Sequence, residues 1–96
     1  MTYRNKKLLA AARDQACVLC GSVGTTVACH ANSVELGKGV GIKVPDYYTA
    51  WLCQRCHDQV DGRTGKLMQY EKQEMWIRAY LHTVARWFDD EFVKVK

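Results

Sequence analysis

The stretch Trp51-Leu52-Cys53-Gln54-Arg55-Cys56-His57-Asp58-Gln59-Val60-Asp61-Gly62-Arg63 decides how this chain folds. Ala50, Trp51 and Leu52 read as a short apolar strand that runs straight into a Cys-x-x-Cys pair. A histidine follows the second cysteine directly. A helix is predicted from about Cys56 to Gly62, a residue type that commonly stops helices. Upstream lies a matching pair, Cys17-Val18-Leu19-Cys20-Gly21, in which Gly21 permits a tight turn. Two such knuckles predict four thiolates, from Cys17, Cys20, Cys53 and Cys56, on one tetrahedral Zn2+ at ~2.3 Å per sulfur. Redox-active or simply buried cysteines are the other reading, but two pairs without a βαβ pattern do not suit a thioredoxin-like site.

Size agrees with a metal-dependent fold. The 96 residues make a single domain, 1–96. A domain of that length buries only ~60–65% of its extended-chain surface, so a structural metal is a common supplement to its thin core. The 48% hydrophobic and 25% charged fractions are ordinary for a globular protein and exclude a disordered chain. Lys6 and Lys7 precede an apolar run at residues 8–12, but the run is too short for a signal-peptide core, and Arg13 and Asp14 interrupt it. No stretch approaches the ~18–20 apolar residues of a membrane span. The expected compartment is therefore the cytoplasm, where thiols stay reduced and paired Cys-x-x-Cys motifs favour metal over disulfide. The odd fifth cysteine, Cys29, also speaks against a closed disulfide framework.

The net charge of +4 suits a polyanionic partner. Arg4, Lys6, Lys7 and Arg13 lie near the start, and Lys38, Lys43, Arg55, Arg63 and Lys66 flank the cysteine region. Asp89, Asp90 and Glu91 gather near the end, which leaves the N-terminal and central parts as the face for an anion.

Residues 5–15 are predicted to form a short helix with Leu8, Leu9 and Ala12 on its apolar side. Residues 25–29 are β-prone and predict a strand ending near His30. Residues 31–45 carry Gly37, Gly39 and Gly41 and read as a loop. Asp46, after Pro45, is positioned to cap a short helix. In the last third, Leu67, Tyr70, Ile77, Leu81, Val84 and Phe88 form one stripe of a long helix, and Trp76, Tyr80, Thr83 and Trp87 a second. Both stripes are expected to cover the zinc-bound core; the alternative is a homodimer surface on this C-terminal helix. Phe92, Val93 and Val95 predict a terminal strand, and His82 reads as helix surface.

His57 and Asp61 are four residues apart and share a helix face. Imidazole and carboxylate at that spacing can hold a divalent cation, and His30 at a strand end can act as general base toward water. Structural, hydrogen-bonded histidines are the plainer reading, as is a small buried strand residue for Cys29.

Cys17-x-x-Cys20, Cys29-His30 and Leu52-Cys53-x-x-Cys56-His57 together resemble the zinc-containing branch of the HNH (ββα-metal, His-Me finger) endonucleases. More closely, Arg4-Asn5-Lys6-Lys7-Leu8, the Gly-x-Gly-x-Gly segment with Pro45-Asp46, and Cys56-His57-Asp58-x-Val60-Asp61-Gly62-Arg63 are similar to the small YbcO-type nucleases of phages and prophages. The resemblance implies a small, zinc-stabilised α+β fold: a ββα-metal finger core with an N-terminal helix and a long C-terminal helix. It implies a metal-dependent endonuclease acting on nucleic acid, DNA in the first instance. His30 is then the general base, and His57 with Asp61 holds a catalytic Mg2+ or another divalent metal. Lys38, Lys43, Arg55 and Arg63 contact phosphates. Two positions depart from the HNH pattern. Cys29 stands where an acid or histidine usually ligates the metal, and Tyr48 stands near where the middle asparagine is expected. Either Cys29 binds a softer metal, or Asn32, two residues beyond His30, replaces the missing ligand. The competing reading is a non-catalytic zinc module for nucleic acid or a protein partner.

Overall fold

Asn5 begins the first ordered element. In the computed structural model, which describes residues 4–31, 44–63 and 65–93, its side chain accepts the Leu8 N–H at 3.0 Å and caps helix α1, Lys6–Ala11. That bond satisfies an amide the first helical turn leaves unpaired. A 3-10 turn, Ala12–Asp14, follows, so the predicted helix is present but tightens at its end.

Two strands, β1 (Val27–His30) and β2 (Thr49–Leu52), pair antiparallel with Val27 opposite Leu52, Cys29 opposite Ala50 and His30 opposite Thr49. Successive strand residues point to opposite faces, and the core divides accordingly. Cys29, Ala50 and Leu52 pack with the zinc-type cysteines, Val60, Trp76 and Ala79. Trp51 packs on the other side with Leu8, Ala12 and Trp87. β1 starts two residues later than the sequence predicts.

Helix α2, Gln54–Val60, begins earlier than expected, with Cys53 itself as N-cap. It stops at Gly62, whose φ of +80° is left-handed. Gly62 N–H donates to Gln59 O at 3.1 Å and Arg63 N–H to Asp58 O at 2.9 Å. That pair of bonds is a Schellman motif. It fixes Asp61 as the last residue of the helical turn.

Helix α3, Gln69–Asp89, lies across β2. Of the two predicted stripes, one covers the core: Trp76, Thr83 and Trp87 are buried, joined by Ala79. The other does not. Tyr70, Ile77, Leu81 and Phe88 are 63%, 46%, 65% and 48% exposed. Neighbouring helix residues are rotated by ~100°, so a hairpin only two strands wide receives one face of α3 and leaves the adjacent one bare. His82 is exposed as expected. The predicted terminal strand is not formed at Phe92 and Val93; Val95 lies outside the described residues. Instead Val93 N–H donates to Trp87 O at 3.0 Å, folding the chain back over the end of α3. Phe92 meets Trp51 edge to face at 5.7 Å. The result is a small α+β fold of three α-helices and one two-stranded sheet among the described residues. None of the described helices is long and apolar enough to cross a membrane.

Thr83 joins α3 to the sheet. Its hydroxyl accepts the Trp51 N–H at 2.9 Å and donates to Ala79 O at 2.9 Å, in a fully buried setting. Thr83→Val keeps the shape but orphans a buried amide, which costs ~1–3 kcal/mol. A fall of that size in unfolding free energy by urea titration is expected, and an unchanged midpoint would show that this bond contributes nothing.

Candidate metal centre and histidine site

The first knuckle is closed by its own backbone. Cys17 N–H donates to Ser22 O and Gly21 N–H to Cys17 O, both at 2.9 Å, with Gly21 at φ +79°. Val18 N–H donates to Trp51 O at 3.1 Å and docks the knuckle on β2. One sulfur from each of Cys17, Cys20, Cys53 and Cys56 lies within 4.8 Å of the others. Cys20 Sγ and Cys53 Sγ are 3.5 Å apart. Hydrogen bonds with the Ser22 hydroxyl and the Ser22 backbone, then with Cys53, lower the pKa of the Cys20 thiol to about 6 despite some desolvation. Burial and the neighbouring sulfurs push Cys56 the opposite way. The Ser22 bonds favour the Cys20 thiolate, whereas burial is the main force that holds the Cys56 proton. The four cysteines predicted as a set are thus brought together and could hold a metal ion such as zinc.

A second cluster joins Cys29 of β1 to His57 of α2 and Asp61 at its end, again with ligand atoms within 4.8 Å. His57 Nδ1 lies 3.3 Å from Asp61 Oδ2. The contact lacks hydrogen-bond geometry, and Nδ1 is buried without a hydrogen-bond partner. Cys29 is fully buried. Its carbonyl accepts the Trp76 indole N–H at 3.0 Å, which ties this strand position to α3. Burial, and then the Asp61 carboxylate, push the Cys29 thiol up to about 12. Arg63 stands at the rim, 3.2 Å from Asp58 and 3.8 Å from Asp61.

His30 is not in that cluster. As the next strand residue it turns to the other face, where its Nε2 meets Asp46 Oδ1 at 2.9 Å. Asp46 is 1% exposed and also accepts Arg4 Nη1 and the Asn5 N–H, each at 2.7 Å. The expected helix-capping role of Asp46 is therefore overturned. Residues 46–47 form a turn rather than a helix, and the carboxylate reaches instead to α1 and β1. Desolvation opposes its charge, but the bonds from His30, Asn5 and Arg4 outweigh it and hold the carboxyl below its usual value. Sequence reading missed this residue because its partners are 16 and 42 positions away. Tyr48 is a packing residue, its ring 4.7 Å from Tyr47 and 6.0 Å from Tyr80. Arg55 is exposed on α2. Asn32, Lys38 and Lys43 lie outside the described residues.

A family model described as "Putative nuclease YbcO" matches residues 6–91. Among solved structures, a putative bacteriophage protein from Escherichia coli str. K-12 substr. MG1655 is similar in fold, with TM-score 0.66 and 25% identity over 86% of this chain and 98% of that one. No curated protein matches.

Two outcomes test the site. Protein purified without chelator is expected to carry one zinc per chain by elemental analysis. Cys53→Ser or prolonged chelation should remove both the zinc and the cooperative thermal transition, since such metal sites supply folding energy. A metal-free Cys53→Ser variant that melts normally would refute the clamp. The second outcome concerns Asp46. Because its folded-state pKa is depressed, its stabilisation is present above the unfolded value near ~3.9 and lost as pH falls through the folded value. In zinc-supplemented urea titrations, Asp46→Asn should be destabilised at pH 7, and its gap to the native protein should close below pH ~4. A pH-independent gap would exclude the charged role.

Proposed function

The chain belongs to the YbcO family, and from that membership we propose that it is a metal-dependent endonuclease of the HNH type, hydrolysing phosphodiester bonds of DNA. The observation that carries the reading is the pairing of His30 with a buried carboxylate, one residue from the cluster of Cys29, His57 and Asp61.

The depressed pKa of Asp46 makes it a charged acceptor. The facing nitrogen of His30, Nε2, then carries the proton, and Nδ1 is left with its lone pair as the base. Asp46 fixes this tautomer and the ring's orientation, and Arg4 balances the carboxylate's charge. His30 Nδ1 takes a proton from water as the water attacks phosphorus. A divalent cation at His57 and Asp61 would stabilise the charge developing on the phosphate and on the leaving 3′ oxygen. Arg55 and Arg63, together with Lys38 and Lys43, would contact neighbouring phosphates independently of sequence. Arg63 would exchange its Asp58 contact for such a phosphate.

Plasmid nicking by purified protein with added Mg2+, Mn2+, Co2+ or Ni2+ tests the proposal. His30→Ala is expected to lower the nicking rate by ~10²–10⁴, the usual contribution of a general base, with zinc content and a cooperative melt retained, though melting at a lower temperature because Asp46 loses a partner. DNA binding without cleavage under every metal would overturn the nuclease reading and leave a zinc-bound binding module.

A further inference from the structure

The cluster of Cys29, His57 and Asp61 offers one sulfur, one imidazole nitrogen and one carboxylate oxygen from β1 and the C-terminal half of α2. Each is fixed by something else. Trp76 anchors the Cys29 backbone at 3.0 Å. The Schellman bonds around Gly62 set Asp61, and His57 sits within α2. The Cys29 sulfur has only a weak 3.8 Å contact to its neighbour's carbonyl, and the buried His57 Nδ1 has no hydrogen bond. Two ligands of one tetrahedral ion, each ~2.0–2.3 Å from it, lie ~3.3–3.8 Å apart. The three ligand atoms all lie within 4.8 Å of one another, and His57 Nδ1 is 3.3 Å from Asp61 Oδ2, so small side-chain adjustments bring them onto one ion.

We propose that Cys29 is a thiolate ligand of the catalytic metal, together with His57 and Asp61, so that the site takes a thiophilic divalent ion such as Zn2+, Co2+ or Ni2+ and not Mg2+. This rests on the metal-dependent reading above and adds the class of ion. Mg2+ requires hard oxygen ligands in an octahedral shell and keeps several waters. A buried sulfur beside an imidazole offers it one oxygen ligand at most, whereas sulfur, nitrogen and oxygen together suit the borderline ions. Three protein ligands also leave a fourth tetrahedral position open for water or a phosphate oxygen, as catalytic zinc sites do. On binding, the Cys29 S–H bond breaks, its sulfur bonds the ion and the proton passes to solvent.

The test titrates Co2+ into protein whose four-cysteine centre is already filled with zinc. The native protein should bind one further equivalent, with a sulfur-to-cobalt charge-transfer band in the near ultraviolet. Cys29→Ser should lose that band and bind Co2+ at least tenfold more weakly, with zinc content and far-ultraviolet circular dichroism unchanged. Should Cys29→Ser fail to fold, X-ray absorption at the nickel edge of the native protein loaded with Ni2+ decides the matter. One sulfur among nitrogen and oxygen neighbours supports the proposal, and only nitrogen and oxygen neighbours overturn it. Four sulfur neighbours mean that Ni2+ has displaced the structural zinc, and they overturn it too. A further equivalent bound identically by native and Cys29→Ser protein removes the thiolate but leaves a metal site at His57 and Asp61. No further equivalent in either protein removes the proposal and the metal-dependent reading together.

Discussion

Four thiols held within 4.8 Å form the constraint from which the rest of this structure follows. Sulfur atoms this close repel one another when ionised side by side. A cation converts that repulsion into attraction. The cluster joins a knuckle at residues 17–22 to the first turn of α2, and the knuckle is also bonded to β2 through Val18. Each strand has only four residues, and an isolated hairpin of that size is marginal in water. The cysteine clamp, with α3 across β2, gives the hairpin the support that its own ladder lacks.

The pleat of β1 then distributes chemistry to two sides. Cys29 turns toward α2 and the carboxylate-imidazole pair; His30 turns toward α1 and Asp46. Because the two residues are consecutive, their Cα atoms are ~3.8 Å apart, and any shift of the strand moves both. Trp76 controls that shift from α3 through the Cys29 carbonyl, and Arg4 and Asn5 control it from α1 through Asp46. Elements remote in sequence thus converge on one dipeptide.

What was legible in the sequence was what is local. The Cys-x-x-Cys spacing, the i, i+4 relation of His57 and Asp61 and the Gly62 stop each depend on a few adjacent residues, and the structure contains all three. Asp46 was misread because helix capping is the local option for an aspartate after proline, whereas its actual partners come from α1 and β1. The α3 stripes show a related limit. Periodicity reveals that a face is apolar, but how much of it is covered depends on the width of the sheet beneath. Phe92 and Val93 alternate like a strand, yet a half-exposed Phe92 ring meets Trp51 and Val93 packs on the edge of the core instead.

Helix α2 carries ligands for both clusters, and that arrangement orders the events at the site. Cys56 and His57 are consecutive, so a rotation of ~100° sends one to the sulfur centre and the next toward Cys29. The helix has seven residues and spans ~10 Å, too short to be stable in isolation. Its N-terminal end is defined by Cys53 and Cys56, and its C-terminal end by the turn at Gly62. Without the first set of ligands gathered, His57 and Asp61 have no fixed relation to β1, so the second cluster does not exist as a site. The two centres also differ in kind. Four sulfurs complete a tetrahedral shell and leave no position for a reacting molecule, whereas sulfur, nitrogen and oxygen from three residues leave one open. Gathering the four cysteines is therefore the precondition for bringing Cys29, His57 and Asp61 together.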